Sequence, residues 1–205
     1  MLKPGCTLDD VTRVCEETAA HKFAAVVVPP CFVADAVAAM AGTRIPVCSV
    51  VSFPFGWDPP ADKRDQATRL LNKGATEIDM VMNVSAFLSG FNELVEDEIV
   101  VVRECCSADA VLKVIIETAY LDDAQIAAAA RICVKAGAHY VKTSTGFAPR
   151  GATVEDIALI KRTIGDGAGI KAAGGIRTCK QALALVGAGA TRLGCSASVG
   201  LIENA

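Results

Sequence analysis

Two lysines stand where an amine could act as a nucleophile. Lys142 lies in Tyr-Val-Lys-Thr-Ser-Thr-Gly-Phe and Lys171 in Gly-Ile-Lys-Ala-Ala-Gly-Gly-Ile-Arg. Each closes a short apolar run and precedes a turn of small residues, the pattern of a buried parallel strand running into a loop. An ammonium there is poorly solvated, and a second ammonium nearby repels it. Both effects favour the neutral amine, the form that attacks a carbonyl carbon. A single lysine of this kind has a plainer explanation, because its stem can run along apolar surface and carry the charge to water. Two of them, each followed by a turn able to hold a phosphate, favour chemistry.

Other residues join them. Asp79, in Glu-Ile-Asp-Met-Val-Met-Asn, is an acid inside an apolar run, which is costly unless paired. Its plainer reading is a salt bridge to an internal lysine. Lys113 and Glu117, in the next apolar run, would extend such a network. Gly174-Gly175 and Gly194-Cys195-Ser196 follow the last two runs, where backbone N–H groups can approach a phosphate if no side chain blocks them. Such loops are generic, so by themselves they do not identify a substrate.

These residues must be positioned by the elements around them. Short Val/Ile-rich runs at 24–28, 47–53, 77–82, 111–117, 140–143, 169–173 and 192–195 read as strands buried on both faces. Helices are expected from about Leu8, at 31–41, 61–73, 92–106, 123–136 and 179–187, after Thr153, and briefly from Ser196. Thr7 with Asp10 and Thr153 with Asp156 read as capping boxes. Gly74 and Gly137 fall where a helix takes a left-handed cap. Alternating strands and helices predict a parallel α/β sheet, and the count favours a (β/α)8 barrel over an open doubly wound sheet. The count also has a defect: eight helices are read but only seven strands. Residues 1–4 supply no more than the tail of a first strand.

At 205 residues the chain is expected to form one domain spanning 1–205, with no linker or low-complexity stretch inside it. A hydrophobic share of 52% against 21% charged residues excludes a disordered chain, and a net charge of -3 gives no reason to expect nucleic acid or an acidic membrane as partner. The apolar stretch 23–42 is split by Pro29-Pro30 into pieces too short to span a bilayer. Nine cysteines follow no pairing plan, and His21 and His139 lie at no metal-ligand spacing from them. Reduced thiols packed in a cytoplasmic protein, with no metal and no cofactor, are expected. Both histidines read as surface or packing residues, and Trp57 as a loop anchor or a wall of the site's mouth.

The segments Glu-Ile-Asp-Met-Val, Leu-Lys-Val-Ile-Ile-Glu-Thr, Val-Lys-Thr-Ser-Thr-Gly-Phe, Gly-Ala-Thr-Val-Glu-Asp and Gly-Ile-Lys-Ala-Ala-Gly-Gly-Ile-Arg-Thr together resemble the deoxyribose-phosphate aldolase family of class I, Schiff-base aldolases. The resemblance runs from about residue 2 to the C-terminus. It implies a (β/α)8 barrel and reversible cleavage of 2-deoxy-D-ribose 5-phosphate to acetaldehyde and D-glyceraldehyde 3-phosphate. It implies Lys142 as the imine-forming nucleophile, Lys171 as the cation that lowers its pKa, and Asp79 as the group that activates a proton-accepting water. Thr145 would lie close to the substrate, and Gly146, Gly174, Gly175, Gly194 and Ser196 would hold its phosphate.

Four features depart from that pattern. Val27 stands in place of a common cysteine, Ala173 and Ala197 in place of serines, and the family's first strand is missing. Loss of the Ala197 hydroxyl would weaken phosphate binding by about 1–2 kcal/mol. A missing strand would leave two unpaired sheet edges, which invite a homo-oligomer. The competing reading is an inactive, truncated or purely sugar-phosphate-binding barrel. It accounts for the glycine loops and the lost strand but not for two buried lysines beside an acid.

Overall fold

The computed structural model describes residues 2–203. Seven parallel strands pair in chain order: β1 (Val26–Val27), β2 (Val47–Val51), β3 (Glu77–Val81), β4 (Val111–Ile115), β5 (Tyr140–Lys142), β6 (Gly169–Ala173) and β7 (Arg192–Gly194). Around them run α1 (Leu8–Ala20), α2 (Val33–Ala39), α3 (Pro60–Asn72), α4 (Val84–Leu88), α5 (Asn92–Cys105), α6 (Asp123–Lys135), α7 (Val154–Ile164), α8 (Cys179–Gly187) and α9 (Ser198–Glu203). Met1 lies outside the described residues, and Leu2–Pro4 form a bend and turn, not a strand.

The sheet curls strongly. In a flat sheet β3 and β7, four neighbours apart, would be separated by about 19 Å. Instead Arg192 on β7 reaches Glu77 on β3 at 3.4 Å, and Lys171 on β6 reaches Asp79 on β3 at 2.6 Å. Seven strands therefore enclose an interior as an eight-stranded barrel does, with β1 and β7 forming no strand pair with each other among the described residues. The chain is an α/β barrel of seven strands, as the strand count anticipates.

Pairing register explains how short strands serve two purposes. Asp79 lies beside Lys113, Lys113 beside Tyr140, Lys142 beside Lys171, and Lys171 beside Arg192. Since side chains alternate along a strand, Glu77, Asp79, Lys113, Lys142, Lys171 and Arg192 all face inward. The alternate residues Ile78, Met80, Leu112, Val114, Val141, Ile170 and Ala172 face the helices and belong to one buried apolar cluster that runs from Val11 to Leu201. Burying each such side chain contributes about 1.5–3 kcal/mol, which stabilises the outer shell that the charged interior cannot.

Local signals set the helix ends. Thr7 and Asp10 form the anticipated capping box on α1. Two further boxes, Asp122 with Gln125 on α6 and Thr178 with Gln181 on α8, have the same spacing in the sequence and went unread there. The Thr153 hydroxyl accepts from the Asp156 N–H, but the box expected there is half built, because the Asp156 carboxylate turns to Arg150 and Thr118 instead. The helix expected at 31–41 is a 3₁₀ turn, Pro30–Phe32, followed by α2. α4 was not anticipated; its five residues show too little periodicity to be read. β2 and β4 end two residues early, where Ser52 and Glu117 take left-handed φ values of 54° and 51° that no strand tolerates. Gly74 and Gly137 take the expected positive φ just past α3 and α6.

One buried ion pair lies outside the barrel. Lys63 of α3 meets Glu98 of α5 at 2.7 Å, and both are essentially without solvent exposure. Lys63 also donates to the Val81 carbonyl and Glu98 accepts from the Asn83 N–H, so the pair ties two helices to the carboxyl end of β3. Glu98→Ala is expected to destabilise the fold by about 3–5 kcal/mol in urea titration, because Lys63 is left buried and unpaired. The apolar double substitution Lys63→Met with Glu98→Leu should recover much of that loss; equal loss in both would show that the charge is not the cause.

Candidate active site

The inward charges converge on one carboxylate. Asp79 Oδ2 accepts from Lys142 Nζ at 2.6 Å and from Lys171 Nζ at 2.6 Å. Its other oxygen accepts from Lys113 Nζ at 2.8 Å and from Cys48 Sγ at 3.3 Å. Lys113 also pairs with Glu77 Oε2 at 2.6 Å, and Glu77 meets Arg192, whose guanidinium lies over the Tyr140 ring. Because Lys142 and Lys171 share one oxygen, their nitrogens cannot be farther apart than twice that bond. If every group were ionised, four cations would surround two anions in a space closed to water. The cheapest relief is one neutral amine.

Lys142 is the group the surroundings push that way. Burial lowers its pKa, the Asp79 carboxylate opposes this, and the Lys171 ammonium lowers it further. Asp79 moves oppositely to a lone buried acid: burial disfavours its charge, but Lys142, Lys171 and Lys113 outweigh that and hold its carboxyl well below the usual carboxylate range. Burial also disfavours the Lys113 ammonium, yet the carboxylates of Asp79 and Glu77 raise it above an ordinary lysine. Cys48, pushed up to about 11 by burial and by Asp79, remains a thiol that donates. The arrangement holds one carboxylate ionised among three lysines, of which Lys142 is pushed toward the neutral amine, all within one hydrogen-bonded set.

The plain reading of Asp79 is realised: it is salt-bridged, and its partners include the two candidate lysines. Lys113 joins the network as expected. Glu117 does not; it lies two residues beyond β4 and turns to Thr145, whose N–H donates to it at 3.2 Å. Glu77, Arg192 and Cys48 were missed, since Glu77 and Arg192 sit at the first positions of their runs, Cys48 reads as a core residue, and their partners lie on other strands.

The small-residue loops come together at the carboxyl end of the same strands. Gly146, Gly174 and Gly175 all take positive φ, 92°, 82° and 75°. Gly151, also missed, packs so tightly on the Gly174 backbone that a Cβ there would meet its carbonyl oxygen at 2.1 Å. Gly194 pairs beside Ala173, and a Cβ on it would stand 3.2 Å from Lys171 Cε, so it leaves room for that lysine. Ser196 and Ala197 are exposed in the bend between β7 and α9. α9 starts at Ser198, two residues later than expected.

A cavity of about 330 Å³ has Pro29, Val50, Ser52, Phe53, Asp58 and Phe147 among its walls and none of the charged set. Val50 is the register neighbour of Asp79, and Phe147 donates its N–H to Thr145 Oγ1 at 3.0 Å. Trp57 is 64% exposed and stacks on Phe55, which makes it a loop contact and not a wall of this cavity. His139 is a packing residue whose Nδ1 accepts from the Leu112 N–H, and His21 stacks on Phe23. Among the described residues no group of three or more histidine, cysteine or acidic side chains could hold a metal ion. Among them, too, no helix is long and apolar enough to cross a membrane.

Comparison with known proteins gives the same picture throughout the chain. Residues 2–199 match the family model described as DeoC/LacD family aldolase. A deoxyribose-phosphate aldolase of Bacillus mycoides (strain KBAB4) is 46% identical over 204 residues, covering 100% of this chain and 92% of the relative. Among solved structures, QR15, an aldolase, superposes with a TM-score of 0.93 at 36% identity, covering 98% of this chain and 90% of its own. The deoxyribose phosphate aldolase from Aeropyrum pernix, described as having a unique tetrameric structure, superposes at 0.91 with 33% identity, covering 99% and 86%.

The reactivity of Lys142 should report its surroundings. Its reaction with formaldehyde, trapped by borohydride at varied pH, is expected to rise along a limb below the ordinary lysine value of about 10.4. In Lys171→Met that limb should move to higher pH, because the ammonium that disfavours a charged Lys142 is gone. A limb that stays in place would show that the two amines are not coupled.

Proposed function

The chain belongs to the DeoC/LacD aldolase family, and on that premise we propose that it cleaves 2-deoxy-D-ribose 5-phosphate reversibly to acetaldehyde and D-glyceraldehyde 3-phosphate through an imine on Lys142. The observation that carries this reading is the single Asp79 oxygen shared by two buried lysines. A sugar-phosphate-binding protein without chemistry has no use for that arrangement, since burying two lysines beside one carboxylate is costly and returns no binding energy.

Lys142, as the neutral amine, adds to the C1 carbonyl of the open-chain sugar, and loss of water leaves a protonated imine. A base then takes the proton of the 3-hydroxyl. The C2–C3 bond breaks, its electron pair moves to the iminium nitrogen, and D-glyceraldehyde 3-phosphate departs. The enamine left on Lys142 takes a proton at carbon, and hydrolysis releases acetaldehyde and restores the amine. In this scheme Lys171 stays charged, lowers the basicity of Lys142 and supplies and recovers protons. Asp79 holds both lysines and orients the water that accepts the hydroxyl proton.

The substrate extends from Lys142 along the turn that follows β5. Thr145 lies beside it, and Gly146, Gly174, Gly175 and Gly194, with Ser196, receive the phosphate on N–H and hydroxyl donors. Ala173 and Ala197 contribute backbone only. Val27 is the register neighbour of Cys48, so its apolar side chain borders the aldehyde end of the site. Sugar phosphate and aldehyde are the small-molecule partners, and the chain works as one domain without a cofactor. Nine free thiols fit a reducing cytoplasm. The edges β1 and β7 favour a homo-oligomer.

Borohydride trapping with deoxyribose 5-phosphate, followed by peptide mapping, is expected to label Lys142. Lys142→Ala should abolish the adduct and turnover together. Asp79→Asn should retain the adduct while cleavage falls by at least about 10²-fold, the scale of one positioned acid–base group. Turnover in Lys142→Ala would refute the imine route.

A further inference from the structure

One buried acid has no part in the scheme above. Glu117 is only 4% exposed, and among the described residues it forms no salt bridge. A buried carboxyl without a cation is costly, and burial indeed pushes the Glu117 carboxyl above its ordinary value, against the pull of the Thr145 hydrogen bonds, Lys142 and Arg150. Its backbone adds to the cost, since φ 51°, ψ 66° is a left-handed conformation that a side chain with a Cβ rarely takes. Two unfavourable features persist together only where the surroundings fix them.

The surroundings here are the turn after β5. Both Glu117 oxygens accept from the Thr145 N–H at 3.2 Å, and one also accepts from the Thr145 hydroxyl in a short contact. That hydroxyl in turn accepts from the Phe147 N–H at 3.0 Å, folding Thr145-Gly146-Phe147 around Gly146. Next to Glu117 the chain is held on the same loop again. Thr118 donates its N–H to the Thr143 carbonyl at 2.9 Å and accepts on its own carbonyl from Arg150 Nη2 at 2.8 Å. The β4 loop therefore grips the β5 loop on both sides of Gly146, and Glu117 is the only charged group in that grip that touches Thr145.

We propose that Glu117 is a positioning residue: through Thr145 it fixes the turn that links Lys142 to the glycine cradle, and so sets how tightly the phosphate end of the substrate is held. This role rests on the aldolase reading. It predicts an effect that depends on the phosphate, because a loosened turn misplaces the Gly146 N–H but leaves Lys142 on its strand. A merely structural acid would not distinguish substrates with and without phosphate.

The test compares KM for 2-deoxyribose 5-phosphate and for 2-deoxyribose in the full-length protein. Glu117→Gln, nearly isosteric, is expected to raise KM for the phosphorylated sugar about tenfold, the size of one charged hydrogen bond, and KM for the unphosphorylated sugar less than threefold. Thr145→Ser, which keeps the hydroxyl, should preserve the wild-type ratio of the two. Thr145→Val should lower that preference, and adding Glu117→Gln to it should change it by clearly less than Glu117→Gln does alone, because only the Thr145 N–H bond then remains to be lost. Equal effects on both sugars, or additive effects in the double variant, would overturn the role while leaving the aldolase intact. Failure of the wild-type protein to form a Lys142 adduct with either sugar would overturn the aldolase reading and this role with it.

Discussion

The structure depends on keeping the Asp79 carboxylate ionised away from water. An isolated carboxylate at that depth would simply take up a proton. The lysines of β4, β5 and β6 counter this. Only a sheet curled enough to bring those strands around β3 can supply them. The charge therefore requires the curvature, and the curvature encloses the charge. Burial and the neighbouring Lys171 push Lys142 toward the neutral amine, so that tendency arises from its surroundings and not from any special property of its own segment.

Such a core cannot hold the fold by itself, because buried ion pairs return little net stability once desolvation is counted. Stability comes from the other face of the same strands, where Ile78, Met80, Leu112, Val114, Val141 and Ile170 meet the helices. Alternation along each strand thus separates a stabilising shell from a reactive interior with no extra layer. Glycines make the interior fit. A Cβ at Gly169 would stand 2.4 Å from the Tyr140 ring that lies under Arg192, and one at Gly194 would crowd Lys171. These two are packing glycines, in contrast to Gly146, Gly174 and Gly175, whose positive φ shapes the loops.

The loops at the carboxyl ends carry a second, independent level of order. Arg150, Asp156 and Thr118 bind the β4 loop to the start of α7, and Glu117 binds it to Thr145. On the far side, Lys63 and Glu98 fix the end of β3. Each device ties a loop to its neighbours through hydrogen bonds of a charged side chain. Precision of this kind suits an imine-forming site, where reacting atoms must meet within about 3–3.5 Å.

Local patterns carried much of this into the sequence. Apolar runs separated by capped helices, with glycine just past α3 and α6, are short-range signals, and they specify an α/β barrel and the places of its strands. Lys142, Lys171 and Asp79 were legible because a charge inside an apolar run is conspicuous wherever it occurs. Their partnership was not. Lys171 and Asp79 are 92 residues apart, and Arg192 and Glu77 are 115 apart. The roles of Glu77, Arg192, Cys48, Gly151 and Glu117 likewise exist only across strand or loop contacts. Near-continuous apolar runs also conceal which residues point inward, since both faces of each strand are buried. Composition and local spacing thus determined the elements and the suspects. Register and curvature, which arise only when all seven strands pair, decided which charges meet, and therefore which lysine is pushed toward the neutral amine.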